Sequence, residues 1–181
     1  MKKVIYILVS FIFFNFSCKN ATQQSEEKTA DIIEAETILS KEFKHRLSIS
    51  PYDINLRKAE NNWISDKVLE KKDKDGYYNL LKKVIENGFS DELVSGIYKA
   101  ESNNLKLREF RLIFEENKTM LDSLPKDSSL FNINQLIQEL ISSRNVTSVD
   151  ISKSLLNGIQ PNDLDKEFYQ NIIIIFYSSI I

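Results

Sequence analysis

The chain has 181 residues with a formal net charge of −2, one His, one Cys, four Gly and three Pro. That length suits a single folded domain, the lone Cys excludes an intrachain disulfide, and the lone His excludes a His-pair metal site. Sparse Gly and Pro speak against collagen-like chains and turn-rich β-sandwiches, and the slightly acidic balance disfavours broad nucleic-acid binding.

The N-terminus reads as an export signal. Lys2 and Lys3 make a basic start, Val4 to Phe16 is apolar except for Ser10 and Asn15, and Ser17-Cys18 precedes the polar Lys19-Asn20. A charged start, a short apolar run and a small residue are the marks of a signal peptide. The run is shorter than the about 20 apolar residues that a membrane-spanning helix needs. Residues 1–17 are therefore expected to be removed, which lowers the formal charge of the remainder to −4, since they carry two Lys and no acid.

The basic start, the apolar run and Ser17-Cys18 resemble a bacterial lipoprotein signal. The resemblance covers residues 1–20 and implies cleavage before Cys18, diacylglycerol on its thiol and acylation of the new amino group. It departs from that family at Asn15 and Phe16, where a large aliphatic residue and then a small one are usual. Lasting attachment to a bilayer needs more than one acyl chain, each buried CH₂ contributing about 0.8 kcal/mol. The resemblance thus implies Cys18 as the lipid-attachment residue and the membrane as one partner. No Asp stands beside Cys18, which by likeness to lipoprotein sorting rules favours the outer membrane. Glu26-Glu27 is similar to the acidic tags of surface-exposed lipoproteins.

Residues 18–30 are expected to form the lipidated Cys and a flexible tether. The segment is rich in Gln, Ser, Thr, Glu and Lys, with no aliphatic side chain larger than Ala, and buries too little surface to offset its ordering entropy.

Residues 31–181 read as a single all-α domain, an irregular bundle of six to eight helices. Ile32, Ala35, Leu39 and Phe43 recur at helical spacing, and Ser50-Pro51 breaks that helix. Asp53 is placed to cap a second helix carrying Leu56, Ala59 and Trp63, with a restart expected near Ser65-Asp66. Asp73 to Gly76 punctuates. Tyr77, Leu80, Leu81, Val84 and Ile85 mark the next helix, which stops at Asn87-Gly88 with Gly88 left-handed and Phe89 folding back. Ser90 caps a helix with Leu93, Val94, Ile97 and Tyr98.

Leu105 to Arg108 begins with strand-like alternation, but Phe110, Ile113 and Phe114 fall at helical spacing. One helix running beyond Lys118 and closed by Pro125 is the favoured reading. Ser128 or Ser129 caps the clearest stripe, Leu130, Ile133, Leu136, Ile137, Leu140 and Ile141. Thr147 or Ser148 starts a short helix ending at Asn157-Gly158. Pro161 and Asn162 open the final helix, whose first-turn acids suit the positive helix end. Its Ile172–Phe176 run is apolar on every side, as a central bundle helix would be. A buried strand is the alternative for so short a run.

The segment Val84 to Ser90 echoes Leu155 to Gln160, with an Asn-Gly stop in each. A separation of about 70 residues lies outside the usual repeat periods, so two independent helix ends are expected.

Candidate chemistry is thin. Asp73, Asp75 and Gly76 fall at positions three, five and six of a calcium-loop pattern, but Lys71 and Lys82 occupy corners that need carboxylates. Ser123 and Lys126 match a Ser-x-x-Lys string, yet Pro125 makes it a helix exit and no Lys-Thr-Gly follows. Asp163, Asp165 and Glu167 could hold a cation, with Asp163 and Glu167 on one helix face, but cap or dipole roles are the simpler reading for acids at a helix start. Glu115 and Glu116 point apart on a helix. His45, between Lys44 and Arg46, belongs to a solvated face. Trp63, Tyr77 and Tyr78 have the makings of a sugar-binding patch, with core packing the simpler role. No catalytic residue, metal site or cofactor is assigned.

Two functions fit. The first is a non-enzymatic, lipid-anchored helical module of the cell envelope that binds a protein or envelope component, as an adaptor or immunity-type protein does. The alternative is an envelope enzyme acting on glycan or peptide through carboxylates. That chemistry needs two acids converging in an apolar cleft.

Overall fold

The computed structural model describes residues 29–46, 52–100, 107–142 and 147–180. The expected export signal, Cys18 and Glu26-Glu27 lie outside the described residues. Among those described there are nine α-helices and no strand, an all-α irregular bundle. Helix α1 covers residues 29–46, beginning two residues before the expected domain boundary. It is followed by α2 (Tyr52–Ser65), α3 (Lys74–Asn87), α4 (Asp91–Lys99), α5 (Leu107–Glu116), α6 (Lys118–Ser123), α7 (Ser129–Ser142) and α8 (Ser148–Gly158). A 3-10 turn, Asp163–Asp165, precedes α9 (Glu167–Ile180).

Helix starts follow from side-chain oxygens that take orphan backbone N–H groups. Asp73 accepts from Gly76 N at 2.9 Å, Ser90 from Leu93 N at 3.2 Å, and Ser128 from Phe131 N at 3.3 Å. At α8 the arrangement is reciprocal: Thr147 Oγ1 accepts from Asp150 N, and Asp150 accepts from Thr147 N, a capping box. The hydrogen bond from Thr147 holds the Asp150 carboxyl below its ordinary range.

Three boundaries differ from expectation. After Ser65 the chain does not re-enter a helix. Lys67 takes φ +61, Val68 N donates to Trp63 O at 2.8 Å and Lys67 N to Ile64 O at 3.1 Å. These are the two bonds of a Schellman ending, closed here on Lys where Gly is usual. The expected helix through Lys118 is interrupted at Asn117, which sits at φ −98, ψ 11 and turns its Nδ2 back onto Ile113 O at 2.8 Å. The last helix begins at Glu167 rather than Pro161, because residues 163–165 form the tighter 3-10 turn. Asp163 and Glu167 consequently do not share a helix face.

The two Asn-Gly stops also diverge. Gly88 takes φ +72 with ψ −163, a region outside the left-handed helix and nearly restricted to Gly. Phe89 then packs its ring edge-on to Tyr177, centroids 5.0 Å apart. Gly158 remains helical, and its value is closeness. A Cβ there would stand 3.0 Å from Asn132 Cβ, and Asn132 Nδ2 donates to Gly158 O at 3.1 Å.

The apolar stripes meet around α9. Ile172, Ile173, Ile174, Ile175, Phe176 and Tyr177 are all buried, each large apolar side chain contributing about 1.5–3 kcal/mol. α9 packs against α2, α5 and α8. α1 closes the bundle through Phe43, which stacks on Phe110 at 5.4 Å and on Phe168 at 5.6 Å. Among the described residues, no helix is long and apolar enough to cross a membrane.

Candidate functional site

Two polar clusters and a cleft stand out among the described residues. The first cluster lies between α2 and α3. Glu60 is 4% exposed, accepts a hydrogen bond from Tyr77 Oη at 2.8 Å and pairs with Lys72. Burial, with the Glu167 charge, drives the Tyr77 hydroxyl far above its ordinary pKa, so it serves as a fixed donor.

The second cluster gathers on the 3-10 turn. Lys166 Nζ bridges Glu36 at 2.9 Å and Asp163 at 2.9 Å. Tyr169 donates to Glu36 at 2.7 Å. Ser129, itself buried, donates to Asp163 at 2.5 Å and accepts from Gln160 N at 2.7 Å. Asp165 accepts the backbone N–H of Lys74 at 2.9 Å, thereby capping α3 from the far end of the chain. Asp163 and Asp165 are thus helix and turn partners that tie α1, α3 and α7 to the start of α9.

In both clusters a carboxylate is paired with a Lys ammonium and a Tyr hydroxyl. A general acid needs a carboxyl destabilised as an anion by apolar surroundings or by a second carboxylate. Glu36 and Asp163 share the Lys166 ammonium. Among the described residues, no three His, Cys, Asp or Glu side chains gather in a metal-ligating arrangement.

The other residues singled out from sequence are spread apart. Ser123 ends α6 and donates to Met120 O at 2.6 Å, with Lys126 beyond the helix. Glu116 pairs with Arg46, which also meets Glu42 at 3.0 Å. That hydrogen bond holds the Glu116 carboxyl low. Trp63 and Tyr77 are fully buried, while Tyr78 is partly exposed with Lys82 over its ring at 4.6 Å. The three aromatics therefore form no common surface. His45 is exposed on α1.

The cleft, of about 250 Å³, opens between the loop after α2, the C-terminal half of α3 and the first turn of α4. Buried Leu80, Val84 and Leu93 form its floor, and exposed Lys67, Lys83 and Glu92 stand around it. The two positive-φ residues among those described, Lys67 and Gly88, line it, so its shape depends on two backbone conformations that L side chains rarely adopt. Sequence reading passes over this cleft, because its lining comes from two helix ends and a loop that only the fold brings together.

No protein-family model, no curated protein and no solved structure matches the chain.

Proposed function

We propose that this is an exported, lipid-anchored protein of the bacterial cell envelope, its helical domain a non-enzymatic module that binds a protein or envelope component. The observation that carries this reading is the occupation of the enclosed carboxylates. Glu60 and Glu36 are each held by a Lys and a Tyr hydroxyl of the fold itself, while a cleft with an apolar floor and a mixed-charge margin stands open on the surface. The export pattern and Cys18 support attachment to the membrane, with the outer membrane favoured by the residues after Cys18.

Two measurements test it. Labelled palmitate is expected to enter the protein and to be lost in Cys18→Ser; label retained in that variant overturns the anchor. The full chain, purified in detergent, is expected to capture one reproducible envelope or secreted partner, and Lys67→Glu/Lys83→Glu to lose it. Turnover of peptidoglycan fragments or peptides that disappears in Glu36→Gln, with no partner captured, replaces the binding reading with an enzymatic one.

A further inference from the structure

We draw no further inference here: the strongest candidate, the cleft between the loop after α2, the end of α3 and the start of α4, belongs to the site already described, and nothing in the structure shows what covers it.

Discussion

Tyr77 donates its hydroxyl proton to Glu60 across 2.8 Å inside the core, joining α2 to α3. A buried carboxylate deprived of a donor retains its desolvation cost, so Tyr77→Phe is expected to lower stability by about 1.5–3 kcal/mol. The readout is the urea midpoint at unchanged m-value. A midpoint equal to that of the parent protein would show that the hydroxyl adds nothing.

Lys67 and Gly88 should respond in opposite directions. Lys67→Gly relieves a left-handed conformation that costs an L-residue about 1–2 kcal/mol, partly offset by the entropy Gly loses on folding; a net gain of about 1 kcal/mol is expected. Gly88→Ala meets nothing within 4 Å, yet forces a side chain onto φ +72 and should cost about 1–3 kcal/mol. Thermal unfolding of both variants checks the pair. A neutral Gly88→Ala would refute the backbone argument, since crowding cannot compensate there.

Gly96 lies against the one tryptophan. A Cβ at Gly96 would sit 2.6 Å from Trp63 Cδ1, in a ring whose Nε1 donates to Leu93 O at 3.0 Å. Gly96→Ala is expected to cost about 1–3 kcal/mol by overpacking and to shift Trp63 emission as the indole moves. Unchanged emission and stability together would mean that α2 and α4 separate freely.

Alkaline pH should unfold the protein cooperatively. Burial raises the hydroxyls of Tyr77, Tyr169 and Tyr177, with Glu36 adding to the rise at Tyr169. At Lys166 burial works to lower the pKa, but the hydrogen bonds to Asp163 and Glu36 leave it raised. For each group the folded value lies above the unfolded one. Their contribution is therefore complete below the ordinary values of 10.0 and 10.5 and is lost as pH rises beyond them. Phenolate absorbance from these three tyrosines should appear together with the loss of helical circular dichroism. Full ionisation of Tyr77, Tyr169 and Tyr177 while the helical signal persists would contradict this.

Much of the helical scheme is legible because its causes are local. Ala35, Leu39 and Phe43 lie one turn apart and are buried together. Ser90 and Thr147 cap helices through N–H groups three residues on. The illegible parts have distant or atypical causes. Lys67 ends α2 in a conformation that composition assigns to Gly, so nothing signals the stop. The break at Asn117 carries neither Pro nor Gly. Asp163 and Asp165 look like first-turn acids of the last helix, and only their partners Ser129 and Lys74, 34 and 91 residues away, reveal why that turn tightens.

Helical spacing of apolar residues, in a chain poor in Gly and Pro, set the all-α class and the central place of Ile172–Phe176 from sequence alone. Apolar spacing, caps and signal patterns reside in neighbouring residues, within a turn or a short segment. Tertiary structure decided that Glu60 meets Tyr77, that Lys166 bridges Glu36 and Asp163, and that a cleft opens over Leu80, Val84 and Leu93. Each of these depends on where helices cross, a geometry set by side-chain interdigitation across the whole bundle.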